Sequence, residues 1–197
     1  MTTTILIVGA TGKQGGKAIS TLLDHQSSDN LSLRFITRNP DSSSSKKLIE
    51  RGAKAYKADL FDKESLKAAL SGVDRAFLVT DAMAGEAKEA EQGKIFVDAA
   101  KEVGVKHIVF TSVSAADTAK NVPHFRSKYE VSSLPLDIHS IGHQGNKANI
   151  DSGREAFDRL GPHIYDPKTC SIHGKPLSIL LIPPNPFILF HPPPDRS

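Results

Sequence analysis

The sequence contains a single cysteine, Cys170, so no disulfide can form within the chain. Because disulfides belong mainly to oxidising compartments, we expect a cytoplasmic protein, with the nucleus as an alternative location. The formal net charge is only +3, and the longest run of basic residues is the pair at 46–47. Domains that bind nucleic acid usually carry a large basic patch, so we predict no direct contact with nucleic acid.

Long hydrophobic segments are also missing. The apolar stretch 177–190 is interrupted by Pro183, Pro184 and Pro186, and it is too short to cross a bilayer as a helix. The chain starts with Met1 and three threonines, without the basic residues and the small-residue cleavage site of a signal peptide. We therefore expect neither a membrane segment nor a secretory leader.

Up to about residue 130, apolar runs of strand length alternate with helical segments. The strand runs are Ile5–Val8, Leu33–Thr37, Ala53–Tyr56, Ala76–Val79 and His107–Thr111. Gly52, Gly72 and Gly104 follow helical segments, where a residue with positive φ commonly ends a helix, and Asp62 is predicted to be an N-cap. The longest helix has an apolar stripe at Ile95, Phe96, Ala99, Ala100 and Val103.

This alternation predicts an α/β fold, namely a doubly wound parallel sheet of the Rossmann type in three layers. We assign residues 1–131 to this domain. Ten of the twelve prolines lie after residue 130. For this reason 132–197 are predicted to form an irregular, proline-rich C-terminal segment, with a helix near 153–160, a sixth strand at 177–182 and a disordered tail.

A glycine-rich loop follows the first strand and opens the first helix. Its sequence is Gly9-Ala10-Thr11-Gly12-Lys13-Gln14-Gly15. Gly9 permits a tight turn, Gly12 lets a pyrophosphate approach the backbone, and Gly15 lets the helix pack close to the strand. The amide groups near Lys13 and Gln14 would lie at a helix N-terminus, which suits phosphate. A glycine-rich turn without a ligand is the alternative, but the flanking strand and helix favour a dinucleotide site.

The end of the second strand favours NADP(H) over NAD(H). Domains that prefer NAD usually have an acidic residue there, which holds the ribose hydroxyls. This chain instead has Thr37-Arg38-Asn39-Pro40. The planar guanidinium of Arg38 can hold a 2′-phosphate with two hydrogen bonds, and Lys13 can add a second positive charge. The alternative for Arg38 is a solvated surface arginine.

Two further strand ends carry candidate binding residues. Asp59 and Leu60 follow the third strand, where a carboxylate can accept a hydrogen bond from the adenine amino group or cap the approaching helix. Val79 and Thr80 end the fourth strand, at the carboxyl edge where ligands bind in such sheets.

Several motifs together resemble the NmrA-like family of atypical short-chain dehydrogenases/reductases. They are GATGKQG, ITRNP, ADLFD, FLVTD, EQGKIFVDAAKEVGVKHIVFTSV and VPHFRSKYEV, in this order within the first 131 residues. The resemblance implies NADP(H) as cofactor. It implies these contacts: Gly9 through Gln14 to the pyrophosphate, Arg38 and Asn39 to the 2′-phosphate, Asp59 and Leu60 to adenine, Val79 and Thr80 to the adjoining ribose, and Lys128 to the nicotinamide ribose.

The resemblance implies two alternative functions. Some family members are similar to redox-sensing regulators, which bind NADP(H) and act through a protein partner such as a transcription regulator, and we predict this function. The alternative is an NADPH-dependent oxidoreductase of a small organic substrate, similar to isoflavone reductases, in which Lys128 would be the catalytic residue.

The usual catalytic pair of short-chain dehydrogenases, Tyr-x-x-x-Lys, is absent. None of Tyr56, Tyr129 and Tyr165 has a lysine four positions later. In the usual pair the tyrosine is the general acid/base and the lysine lowers its pKa. Lys128 is therefore the remaining catalytic candidate, and the alternative is that it only positions the cofactor.

The family resemblance fades after Val131, where Pro135 is expected to end the helix. We predict that the chain is a truncated or altered family member from about this point, such as a splice form or the product of a shifted reading frame. Two pairs with metal-ligand spacing lie beyond it, His139 with His143 and Cys170 with His173. Neither pair has a third ligand in place, so we predict no metal site.

Overall fold

The computed structural model of the protein describes residues 2–25, 30–113, 116, 118, 121–134, 136, 138–141, 171–172 and 175–176. At 124, 138–141, 171–172 and 175–176 it describes the backbone only. The chain divides into two compact units, Met1–Tyr165 and Asp166–Ser197. The predicted helix near 153–160, the predicted strand at 177–182 and the predicted tail lie outside the described residues.

The first unit contains a parallel sheet of six strands in the order β3-β2-β1-β4-β5-β6. The strands are β1 (Thr3–Ile7), β2 (Leu31–Thr37), β3 (Lys54–Lys57), β4 (Arg75–Leu78), β5 (His107–Thr111) and β6 (Ile138–Ile141). The helices are α1 (Lys13–Asp24), α2 (Ser43–Glu50), α3 (Lys63–Leu70), α4 (Glu86–Glu102) and α5 (Pro123–Ser132). This strand order is that of a Rossmann fold, so the predicted fold class is confirmed.

Side chains alternate between the two faces of the sheet, as the period of a strand requires. Ile5 and Ile7 of β1 belong to one apolar cluster, which also contains Ile19 of α1 and Leu48 of α2. Leu6 of β1 belongs to a second cluster, which also contains Leu66 of α3, Phe96 of α4 and Val131 of α5. Each face of the sheet is therefore covered by helices, and the three layers are those predicted.

The predicted helix ends agree with the structure. Gly52, Gly72 and Gly104 directly follow the last turns of α2, α3 and α4, with φ angles of 102°, 70° and 80°. A side chain other than glycine rarely adopts such a conformation, so these positions end the helices. At the start of α3, Asp62 accepts hydrogen bonds from the backbone N–H groups of Glu64 and Ser65, as an N-cap does.

The sixth strand differs from the prediction. β6 spans Ile138–Ile141 and pairs in parallel with β5, from Ile108 opposite Ile138 to Thr111 opposite Ile141. The prediction that 138–141 belong to an irregular segment is therefore wrong. The sequence Ile-His-Ser-Ile has neither a continuous apolar run nor a regular alternation of apolar and polar residues, so it does not indicate a strand. This strand forms along the open edge of β5. The assignment of 1–131 and 132–197 to separate domains stays a prediction.

The second unit is described only at two short strands, β7 (Ser171–Ile172) and β8 (Lys175–Pro176), which pair antiparallel. Among the helices of the described residues, none combines the length and the hydrophobicity needed to span a membrane.

Close packing of α4 against α5 depends on Gly93. A Cβ atom built on Gly93 would lie 2.2 Å from Cγ2 and 2.9 Å from Cγ1 of Val131, whose side chain is fully buried. A methyl group at this position therefore requires that α5 move away from α4.

We predict that Gly93→Ala destabilises the protein. Overpacking costs about 1–3 kcal/mol, and the better helix propensity of alanine offsets about 1 kcal/mol of that loss. In the Val131→Ala background the contacts with both Cγ atoms are removed and only the contact with the Cβ of residue 131, at 3.1 Å, remains, so the same substitution should cost much less. Urea unfolding of the four proteins of this cycle measures the difference between the two backgrounds, and a loss of equal size in both would contradict the packing explanation.

Candidate functional site

The candidate site lies between β1 and β4, where the order of the strands in the sheet changes direction. β1 pairs with β2 on one side and with β4 on the other. The chain leaves β1 toward α1 and leaves β4 toward α4, and these helices pack on opposite faces of the sheet. A crevice at the carboxyl ends of the two strands results, and dinucleotides bind at this position in sheets of this order.

The glycine loop has the geometry that its sequence predicts. Gly9 has a φ of +69°, and a Cβ built on it would lie 3.4 Å from the Cβ of Val79. The turn therefore lies directly against the end of β4. A Cβ on Gly12 would lie 3.2 Å from the carbonyl oxygen of Gly9, and one on Gly15 only 2.4 Å from the same oxygen.

The N-terminus of α1 is open to an anion. Gly12 is its N-cap residue and offers no side-chain acceptor, and the first turn contains no acidic residue. The side chains of Thr11, Lys13 and Gln14 are exposed at this end of the helix. Backbone N–H groups and the helix dipole therefore present partial positive charge to the crevice, beside the Lys13 ammonium.

The end of β2 presents Arg38 to solvent. Its side chain is exposed, and none of the described residues forms a hydrogen bond or an ion pair with its guanidinium. The neighbouring Asn39 is used differently, because its Oδ1 accepts a hydrogen bond of 3.1 Å from the backbone N–H of Asp41. Asn39 therefore shapes the turn into α2, and Arg38 stays available to a ligand.

Asp59 and Leu60 lie at the end of β3, next to the end of β2. The backbone N–H of Ala58 donates to the carbonyl oxygen of Thr37 at 3.2 Å, which joins the two loops. Asp59 Oδ1 accepts a hydrogen bond of 2.9 Å from the N–H of Phe61, and Leu60 is half-buried. The carboxylate of Asp59 therefore holds its own turn with one oxygen.

A buried ionic network, formed by Thr80, Glu89, Ser127 and Lys128, lies at the end of β4. Lys128 Nζ donates to Thr80 Oγ1 at 2.8 Å and lies 2.8 Å from Glu89 Oε1. Thr80 Oγ1 donates to the same carboxylate oxygen at 2.9 Å, and Ser127 Oγ donates to Glu89 Oε2 at 2.6 Å. The Lys128 and Glu89 side chains are only 9% and 1% exposed.

The network keeps Glu89 ionised. Burial raises the pKa of this carboxyl, but hydrogen bonds from Lys128, Ser127 and Thr80 and the charge of Lys128 outweigh burial and hold the pKa below its usual value. The Lys128 ammonium also lies 4.9 Å from the centroid of the Phe110 ring. Its surroundings are therefore a carboxylate, a hydroxyl and an aromatic face.

Three buried residues at this strand end were not predicted from the sequence, namely Glu89, Gln92 and Ser127. Gln92 is buried, and its Oε1 accepts a hydrogen bond of 3.0 Å from the backbone N–H of Asp81. One signal for Glu89 was present: it precedes Phe96 by seven residues and therefore lies on the apolar stripe of α4. An acidic residue on a buried stripe requires a buried partner. The rest of the predicted stripe agrees with the structure, because Phe96, Ala99 and Ala100 are fully buried and the other two are partly buried.

The structure thus brings the predicted site residues together in two groups along one edge of the sheet. The glycine loop, Val79, Thr80 and Lys128 lie around the ends of β1 and β4, whereas Arg38, Asn39, Asp59 and Leu60 lie around the ends of β2 and β3. Within the described part of the chain, no three residues of His, Cys, Asp or Glu are grouped to hold a metal ion.

A family model for the NmrA-like family matches residues 1–135, more than half of the chain. The chain belongs to the NmrA-like family. This agrees with the resemblance found in the sequence motifs, and the matched residues include both groups of site residues.

A curated relative from Cladobotryum, the NmrA-like family domain-containing oxidoreductase FrzB, is 38% identical over 151 residues, which are 72% of this chain and 44% of FrzB. The chain therefore spans less than half the length of that relative. Among solved structures, the NADPH-dependent quinone oxidoreductase QOR2 of Escherichia coli, complexed with NADPH, is similar with a TM-score of 0.62 and 27% identity, over 79% of this chain and 54% of QOR2.

The negative transcriptional regulator NmrA, solved in complex with NADP, has the same fold, with a TM-score of 0.58 and 21% identity over 71% of this chain and 44% of NmrA.

Proposed function

We propose that the chain binds NADP(H) in the crevice between the ends of β1 and β4. The observation that carries this proposal is the exposed guanidinium of Arg38, which has no partner among the described residues. It lies at a strand end without an acidic residue, on the same sheet edge as the open N-terminus of α1. The close approaches of Gly12 and Gly15 to Gly9 support it, because they leave a cradle without side chains. The similarity to QOR2, which was solved with NADPH, supports the same cofactor.

In this proposal the two groups of site residues bind different parts of the dinucleotide. Residues 9–15 hold the pyrophosphate, with Lys13 beside it. Arg38 holds the 2′-phosphate, Asn39 shapes the loop that carries it, and Asp59 and Leu60 contact adenine. At the end of β4, Val79 and Thr80 contact the ribose that adjoins the adenine, and Lys128 donates a hydrogen bond at the nicotinamide ribose.

Two roles are compatible with such binding. A redox-sensing regulator that acts through a protein partner requires only a site that distinguishes cofactor states, and the absence of Tyr-x-x-x-Lys favours this role. An NADPH-dependent oxidoreductase of a small organic substrate is the second candidate, and the name of the relative FrzB favours it. NADPH oxidation with a panel of quinones and enones separates the two roles, since turnover that Lys128→Met abolishes supports the enzyme.

The 2′-phosphate assignment predicts the effect of Arg38→Glu. The substitution should weaken the binding of NADP+ by about tenfold or more, because it removes a charge-assisted hydrogen bond and adds a repulsive charge. The binding of NAD+ should be nearly unaffected. Lys101→Glu is the matched control: Lys101 is exposed in the last turn of α4, at the opposite edge of the sheet. Calorimetric titration measures the affinity for both nucleotides, and equal losses of affinity for NADP+ and NAD+ would show that Arg38 does not bind the 2′-phosphate.

A further inference from the structure

The ammonium of Lys128 is held in one place by side chains of different elements. α5 supplies Lys128, the end of β4 supplies Thr80, and α4 supplies Glu89. Two of the three N–H groups of the ammonium therefore point to fixed acceptors, and the Phe110 ring lies on another side. Since these are the partners of the ammonium among the described residues, one N–H direction remains for a ligand in the crevice.

Glu89 itself cannot contact a ligand, because it is fully buried. Its two carboxylate oxygens are occupied by Lys128 and Thr80 on one side and by Ser127 on the other. Any effect of Glu89 on the crevice must therefore pass through the residues that it holds, and Thr80 and Lys128 are the two that adjoin the end of β4.

A buried ion pair is a poor source of stability, because the loss of hydration of two charges offsets most of their attraction. What this pair does provide is a fixed direction for the remaining donor of Lys128. Without the charge of Glu89, the ammonium keeps only Thr80 as a strong acceptor and can turn toward solvent.

We propose that Glu89 is a positioning residue for the nicotinamide half of NADP(H), through its ion pair with Lys128. This rests on the proposed function. Arg38, which is proposed to hold the 2′-phosphate of the adenosine half, lies at the far end of the same sheet edge. Glu89 can reach the adenosine half through its hydrogen bond with Thr80, so a change at this residue should affect the nicotinamide half more than the adenosine half.

The test compares NADP+ with adenosine 2′,5′-bisphosphate, which lacks the nicotinamide half, by calorimetric titration of the full chain. Glu89→Gln should weaken the binding of NADP+ by about tenfold, as expected for a lost charge-assisted hydrogen bond, and weaken the binding of the bisphosphate much less. Lys128→Met should have a similar effect, and Glu89→Gln should cause no further loss in the Lys128→Met background. Glu91→Gln, which replaces an exposed acidic residue of the same helix, is the matched control and should change the affinity for neither ligand.

Three results would overturn the proposal: unchanged NADP+ affinity in Glu89→Gln, equal losses for the two ligands, or additive losses in the double variant. If Glu89 only stabilised the fold, one of these three results would be observed. If Glu89→Gln does not fold, Ser127→Ala can replace it, because it removes one of the three hydrogen bonds to the same carboxylate. The same two ligands are then compared, and the expected loss of NADP+ affinity is smaller. If the unchanged chain binds neither ligand, the proposed function fails first, which distinguishes the two failures.

Discussion

Replacing Gly15 with alanine is expected to remove nucleotide binding and to destabilise the protein strongly. A Cβ at this position would lie 2.4 Å from the carbonyl oxygen of Gly9, 2.5 Å from its carbonyl carbon and 2.6 Å from the carbonyl oxygen of Val8. All three atoms belong to the backbone that leaves β1, and Val8 N–H is hydrogen-bonded to Phe77 at 2.8 Å. A small side-chain adjustment therefore cannot relieve the contact, and α1 must move away from the sheet.

The cost of this movement should lie at or above the upper end of the range for overpacking, about 3 kcal/mol, against a gain of about 1 kcal/mol from helix propensity. Because the movement opens the glycine loop, NADP+ affinity should fall below detection. Gly16→Ala is the matched control, since its Cβ would approach only Ala10, with 3.1 Å to the carbonyl oxygen. Urea unfolding measures the free energy of unfolding of both variants, and calorimetric titration measures their affinity for NADP+. A Gly15→Ala protein with unchanged NADP+ affinity would show that close helix–strand packing is not required at this loop.

Lys128→Met is expected to lower the free energy of unfolding by about 3–5 kcal/mol at neutral pH, because it leaves the buried charge of Glu89 without an opposite charge beside it. In the double variant Lys128→Met with Glu89→Gln, no buried charge remains, so most of this loss should be recovered. The comparison separates the cost of an unpaired charge from the loss of packing by the lysine stem.

The loss caused by Lys128→Met should depend on pH in a defined direction. In the unchanged protein the pKa of Glu89 is below its usual value, so its contribution to stability is present above pH 4.5 and is lost as the pH falls through the lowered pKa. In the variant, burial without the lysine raises this pKa above its usual value, so the carboxyl takes up a proton on acidification. The stability difference between the two proteins should therefore shrink from pH 7 toward about pH 4.5. A difference that does not vary with pH would contradict the unpaired-charge explanation.

Sequence reasoning succeeded where a residue type alone fixes the local structure. Gly9, Gly52, Gly72 and Gly104 all have positive φ, which few residues other than glycine adopt, so their positions in the sequence mark turns and helix ends. The five predicted strands were found within two residues of their observed ends. Four of them have apolar runs that are buried on both faces of the sheet, and β3, whose four residues are partly buried or exposed, is the exception.

It failed where a structure depends on distant partners. Ile138–Ile141 forms a strand because β5 offers an open edge, and its sequence Ile-His-Ser-Ile has neither an apolar run nor an alternation that indicates a strand. Glu89 was missed because acidic residues are usually exposed, and only the position of Lys128 on a later helix makes its burial favourable. The residue roles inferred from the family motifs stay predictions until binding is measured.

Calorimetric titration of the full chain with NADP+ and NAD+ is the most direct measurement of the central claim. The site geometry predicts that NADP+ binds at least tenfold more tightly than NAD+, because only NADP+ carries the 2′-phosphate that Arg38 can hold with charge-assisted hydrogen bonds. Equal affinity for the two nucleotides, or no binding of either, would contradict it.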